Sequence, residues 1–317
     1  MRIARHDEPL HHRGNERQTH MTSLPGLLHG GSEEADRRAA GRPGWDHGHQ
    51  RAVGLVDIVL QRRGDVTGLR RLHQAGCLKA RLPRVEMAGQ CNIVTMNISG
   101  GIAGGDRLDQ SIELAAGCRA VMASQAAERI YRALPDSAPA RIGNVVELAA
   151  GARLDWLPQE TIIFDQARLQ RRLRVTMAAD ACFTGVEMMV FGRAAMGERV
   201  RWAEIDDRIV IWRGGRLLVH DAIRLRGAVG EMLARPAVGQ AGRAMATIIH
   251  VAPDAEALLG DVRQVLDQAA LSAGATHFDG VLLARMVANS VGGLRASVQA
   301  VLMILRQGAA LPRVWQC

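Results

Sequence analysis

The sequence predicts a mainly β protein, a single large domain of stacked β-hairpins forming a superhelix of strands, with two α-helices near the C-terminus. Three observations carry this prediction. Over 107–114, Leu108, Gln110, Ile112 and Leu114 interleave with Arg107, Asp109, Ser111 and Glu113, the period-two spacing of a strand. A strand–turn–strand unit, 113–119 (ELAAGCR), recurs 34 residues later as 147–153 (ELAAGAR) and more weakly as 176–182 (TMAADAC). Evenly spaced units of this kind stack and share one core, chance similarity in an Ala/Gly-rich chain being the alternative. Helical spacing of apolar residues appears only beyond residue 254.

Residues 1–50 stand apart from the rest. They hold seven of the eleven histidines (His6, His11, His12, His20, His29, His47 and His49), seven arginines and seven acidic residues, but no valine or phenylalanine. So little apolar surface cannot offset the entropy of ordering, which predicts a disordered N-terminal extension before a β domain spanning 51–317. An over-extended gene start is the alternative. The histidines are irregularly spaced and come without cysteine, so a metal-gathering tract is the weaker reading.

Residues 53–60 form an apolar strand candidate, closed by the turn cluster Arg62-Arg63-Gly64-Asp65. A second candidate, 91–98, leads into the doubled glycine pair of 99–106 (SGGIAGGD). A phosphate-cradling glycine loop opens a helix. Here a strand follows, and the only lysine, Lys79, lies elsewhere. The segment therefore joins strand to strand, its glycines serving turns and close packing. Residues 211–217 repeat the strand–turn–strand character. Asp254 is the expected cap of a helix carrying Leu258, Leu259, Val262, Val265, Leu266 and Ala269 on one face. Residues 281–284 read as a buried strand. A second helix is expected over 290–306, with Leu294, Val298, Val301, Leu302 and Leu305 inward and Gly308 as its stop.

Composition narrows the function. Net charge is +8, yet 39 of the 40 basic residues are arginine and aromatics make up only 3%, too few for base stacking. A basic protein-docking surface fits better than a nucleic-acid partner. No apolar run approaches the ~18 residues of a membrane span, and no signal segment opens the chain, which predicts a cytoplasmic protein. Five cysteines without a CxxC pair (Cys77, Cys91, Cys118, Cys182, Cys317) predict reduced thiols rather than a disulfide framework or a zinc site.

Candidate chemistry rests on carboxylates: Asp106, Glu128, Glu160, Asp165 and Glu187. Glu160 and Asp165 bracket an apolar run and could form the acid pair of a carbohydrate-active β-repeat hydrolase. The competing reading gives them ion pairs with Arg168, Arg171, Arg172 and Arg174, and few aromatics are present to bind sugar. Outside the tail the histidines His73, His220, His250 and His277 are isolated, and no nucleophile elbow precedes them.

Seven segments taken together resemble the UreD (UreH) family of urease accessory proteins: 74–84 (QAGCLKARLPR), 99–108 (SGGIAGGDRL), 125–132 (QAAERIYR), 151–165 (GARLDWLPQETIIFD), 168–174, 191–198 (FGRAAMGE) and 311–315 (LPRVW). Their order along 51–317 is more specific than any one of them, while residues 1–50 have no counterpart. The resemblance implies a predominantly β domain with two helices and a non-catalytic maturation factor. It implies partners UreF, the GTPase UreG and urease apoprotein, with UreE an indirect nickel donor. It also implies help in inserting nickel into urease with no tightly bound cofactor of its own. By motif match, Asp106, Glu128, Glu160, Asp165 and Glu187 are the residues expected to touch nickel transiently. Oxygen donors bind nickel less tightly than thiolates or clustered histidines, and so let it leave.

Overall fold

The repeated turns are corners at which the chain passes from one β-sheet to another. The structure, a computed structural model, describes residues 50–83 and 89–316, so the expectations for residues 1–49 and for Cys317 lie outside the described residues. A hairpin of β1 (Val53–Arg63) and β2 (Val66–Gly76) comes first, then β3 (Leu78–Arg81) and β4 (Gln90–Asn97). A coil follows. Its first turn is β5 (Arg107–Leu114), β6 (Arg119–Ser124) and β7 (Glu128–Ile130). The second is β8 (Ala140–Leu148), β9 (Arg153–Leu157) and β10 (Thr161–Ile163), and the third β11 (Arg168–Met177) and β12 (Cys182–Phe191). A second hairpin, β13 (Ala203–Arg213) and β14 (Arg216–Gly227), precedes α1 (Val229–Ala234). β15 (Ala244–Val251), α2 (Leu259–Asp267), β16 (Ser272–Phe278), β17 (Val281–Ala288) and α3 (Val291–Leu305) complete the order.

The first sheet runs β14-β13-β11-β8-β5-β1-β2 and the second β16-β17-β15-β12-β9-β6-β4-β3, with β10 pairing β12 and β7 pairing β10. The expectation of stacked hairpins needs correction at the echo. β5, β8 and β11 lie in the first sheet and pair in parallel, while β6, β9 and β12 do the same in the second. Equivalent residues of the echo therefore become register partners: Glu113 with Glu147, Glu147 with Thr176, Arg119 with Arg153, and Arg153 with Cys182. Each corner closes through the same backbone bond, Cys118 N–H to Ala115 O, Ala152 N–H to Ala149 O and Ala181 N–H to Ala178 O, at 3.1–3.2 Å. Gly117 and Gly151 sit there at φ of 67° and 63°, a conformation that a side chain resists. The antiparallel hairpins lie outside the coil, at β1–β2, β13–β14 and β16–β17.

The glycine-rich loop joins β4 to β5 as its spacing predicts. Tyr131 donates its hydroxyl to Gly100 O, and a Cβ on Gly101 would lie 2.3 Å from the Tyr131 ring. Burial alternates along β5 as expected, with Leu108, Gln110, Ile112 and Leu114 inward.

One core lies between the sheets, and a second joins the far face of the second sheet to α2 and α3. The α3 helix starts at Ser290, whose hydroxyl accepts from Gly293 N–H as an N-cap. The α2 helix starts later than expected. Asp254 does not cap it, because its carboxylate is engaged by His250 Nε2 at 3.1 Å and Gln307 Nε2 at 2.9 Å. The six-residue α1 adds an earlier helix, too short to show a period in the sequence.

Candidate functional site

Charge enters the inter-sheet core where the alternation of two neighbouring strands is broken. Leu169, Leu173, Val175 and Met177 of β11 face inward, and Arg171 occupies the same face. On β13, Ile205, Ile209 and Ile211 face inward with Asp207 among them. Arg171 and Asp207 are register partners, so their side chains meet. From the opposite sheet β12 contributes Glu187, two residues before the inward Met189. All three are buried, at 5% (Arg171), 4% (Asp207) and 7% (Glu187) exposure.

Arg171 donates Nε and Nη2 to the two Asp207 oxygens at 2.9 and 2.8 Å, and Nη1 to Thr161 Oγ1 at 2.9 Å. Glu187 Oε1 accepts from Trp156 Nε1 at 3.1 Å. Its Oε2 lies 2.6 Å from Arg171 Nη1 but makes no hydrogen bond. Two carboxylates thus share one buried cation. Burial pushes the Glu187 carboxyl above its ordinary range; Arg171 opposes this and the Asp207 charge adds to it.

The cluster borders a cavity of about 90 Å³ between the sheets. Its walls include Gln110, Asn144, Trp156 and Gln159, with Glu187 and Glu128 both exposed to the space. Glu128 accepts from Asn97 Nδ2 at 3.2 Å and from its neighbour Arg129 N–H at 3.2 Å. Burial lifts the Glu128 carboxyl from 4.5 to about 7, against these donors. A carboxyl that holds its proton more tightly when folded stabilises the protein at low pH, and that contribution is lost as pH rises through about 7. Glu128→Gln is therefore expected to be near-neutral at pH 4 and to add on the order of 1–3 kcal/mol at pH 8. Urea unfolding at the two pH values checks this, and equal effects would contradict it.

The other three sequence candidates are engaged elsewhere. Asp106 accepts from Ala52 N–H and Ala103 N–H, both at 2.8 Å, tying the glycine-rich loop to β1 and lining a separate open pocket of about 620 Å³. Asp165 accepts from Arg201 N–H at 2.7 Å and Trp202 N–H at 3.0 Å. Burial would raise its pKa, but these donors outweigh it and hold the carboxyl below its ordinary range. Glu160 pairs with Arg295 of α3 at 3.1 Å. Glu160 and Asp165 are thus committed to different partners, not presented as an acid pair. The ion-pair reading holds in kind but not in partners, since Arg168 pairs with Glu204 and Arg171 with Asp207 and Glu187.

His250 is less isolated than its sequence context suggests. Its Nδ1 lies 2.9 Å from Thr184 Oγ1 and its Nε2 reaches Asp254, a buried network joining β12, β15 and the approach to α2. Burial lowers its pKa, opposed by Asp254, and at 2% exposure it reaches no substrate. Cys77, Cys91, Cys118 and Cys182 are free thiols. Among the described residues no helix is long and apolar enough to cross a membrane, and no three His, Cys, Asp or Glu side chains gather around a common metal position. Asp207 escaped the sequence reading. The available signal was an acidic residue on the inward phase of an apolar strand.

The family model described as UreD urease accessory protein matches residues 52–316. Urease accessory protein UreD of Azorhizobium caulinodans is 42% identical over 266 residues, covering 84% of this chain and 97% of that protein. UreD of Cereibacter sphaeroides is 43% identical over 267 residues, covering 84% and 96%. Urease accessory protein UreD 2 of Methylorubrum populi is 41% identical over 298 residues, covering 90% and 99%.

Proposed function

Because this chain belongs to the UreD urease accessory protein family, we propose that it matures urease as a non-catalytic scaffold whose interior passes nickel towards the urease active site. In this reading it docks on urease apoprotein together with UreF and the GTPase UreG, in the cytoplasm, and receives nickel that UreE supplies upstream. Nickel is cargo here, held only in passing.

The observation that carries the proposal is the polar cavity between two otherwise apolar sheets, with Glu128 and Glu187 on its walls. Burying carboxylates in such a place costs several kcal/mol, so packing stability does not explain them. Oxygen donors suit a borderline cation that has to leave again. Asp106, Glu160 and Asp165 hold loops and a helix around the passage, and Glu128 and Glu187 are the residues that would meet the ion.

The test is maturation of urease in cells that carry either this chain or its Glu187→Gln variant. The variant removes a surplus buried charge, so the chain should accumulate normally and still co-purify with UreF, UreG and urease. Nickel per urease should fall at least fivefold. Full loading with the variant, or no co-purification of the wild-type chain, would overturn the reading.

A further inference from the structure

Arg171 divides the interior. It and Glu187 line both the cavity of about 90 Å³ on the Glu128 side and a space of about 10 Å³ beyond, which also touches Met189, Asp207, Asp221 and Met245. The second space holds one water at most. Arg171 and Glu187 are the residues that the two spaces share. The arrangement is also asymmetric in its bonding. Asp207 is held by a two-point fork, whereas Glu187 Oε2 meets the same guanidinium only through Nη1, at 2.6 Å and outside hydrogen-bond geometry, a nitrogen it shares with Thr161 Oγ1.

We propose that Arg171 is the resident counter-cation of the passage, displaced by nickel at Glu187 and Asp207 and returning to expel it. This rests on the conduit reading above. The two carboxylates cannot hold a guanidinium and a divalent ion at once in so small a space, so occupancy is exclusive. The displaced side chain has somewhere to go: the adjoining cavity is lined by Gln110 and Asn144, whose amide side chains carry acceptor oxygens. Its return restores the fork to Asp207 and moves the ion on towards Asp221. Binding by exchange keeps affinity low although the site is buried and anionic, which transit requires.

The experiment measures Ni²⁺ binding to the purified full chain by equilibrium dialysis, with thermal melting in parallel. Arg171→Gln should bind nickel at least tenfold more tightly than wild type, because both carboxylates are then without a cation. Nickel should also raise its melting temperature, which a merely structural arginine would not produce. Adding Glu187→Gln to that variant should return the affinity to the wild-type level. In cells, Arg171→Gln should retain nickel on this chain while urease loading falls. A cooperatively melting Arg171→Gln with unchanged affinity would overturn the proposal. Should that variant fail to fold, Arg171→Lys takes its place: it keeps a charge but loses the fork, and should bind severalfold more tightly, unchanged affinity again overturning the idea. Normal urease loading with Glu187→Gln alone would remove the conduit itself. Lost loading with Glu187→Gln beside unchanged affinity in the Arg171 variant would remove only the exchange.

Discussion

Replacing Trp315 by alanine is expected to cost about 4 kcal/mol, the range for emptying a buried tryptophan site. Trp315 is 1% exposed in the core beneath α2 and α3, and its Nε1 donates to Leu157 O at 2.9 Å. The substitution also removes that hydrogen bond to β9, which adds to the lost packing. Arg295 stacks on the indole at 5.0 Å and binds the Trp315 carbonyl at 3.2 Å, while Gln299 reaches the same carbonyl at 2.9 Å. The effect should reach the cavity. Gln159, on the cavity wall, donates to Val314 O at 2.8 Å and accepts from Arg295 at 2.6 Å, so the C-terminal turn holds the wall by one direct bond and by a second through Arg295 of α3. For a domain of this size, 1 kcal/mol corresponds to ~2–4 °C, and the melting temperature should fall by roughly 8–15 °C. A loss below about 1 kcal/mol in urea unfolding would mean that this turn is not part of the core.

Filling the cavity should abolish nickel delivery while sparing the fold. Asn144 is buried on β8, pairs in register with Gln110 and Leu173, and borders the space between Glu128 and Glu187. A phenylalanine there puts an apolar ring into a space of about 90 Å³ lined by Glu128 and Glu187. Overpacking costs about 1–3 kcal/mol, which a large domain tolerates, and the ring offers no oxygen to a cation. No surface residue changes, so binding of partner proteins should persist. The expected phenotype separates assembly from transport: a complex that forms and delivers nothing.

Much of the architecture was legible in the chain, and the parts that were not have physical reasons. Alternation over 107–114 marked a half-buried strand, and the ELAAG echo marked equivalent places in a stack. The partner of each strand was hidden, because a corner turn and a hairpin turn use the same glycine chemistry. Which sheet the next strand joins is decided by its distant register partner, as Glu113 with Glu147 shows. Asp254 looked like a helix cap because it precedes an apolar face, yet tertiary bonds to His250 and Gln307 claim it. The carboxylates divided in the same way. Glu187 stands out in the apolar run of β12, but nothing local separates it from Asp165, whose backbone donors come from residues 201 and 202. Arg171 was visible only as one arginine among four close neighbours. Its inward phase on β11 distinguishes it from Arg172 and Arg174, and its pairing with Asp207 depends on register between strands far apart in sequence.

The most direct test of the account is the number of nickel ions per urease active site, counted by elemental analysis on urease matured in cells alongside Asn144→Phe. The complex should be recovered with wild-type composition and the urease should be nearly free of nickel. Urease carrying its full complement of nickel, matured by a folded Asn144→Phe chain, would show that the ion does not travel through this interior.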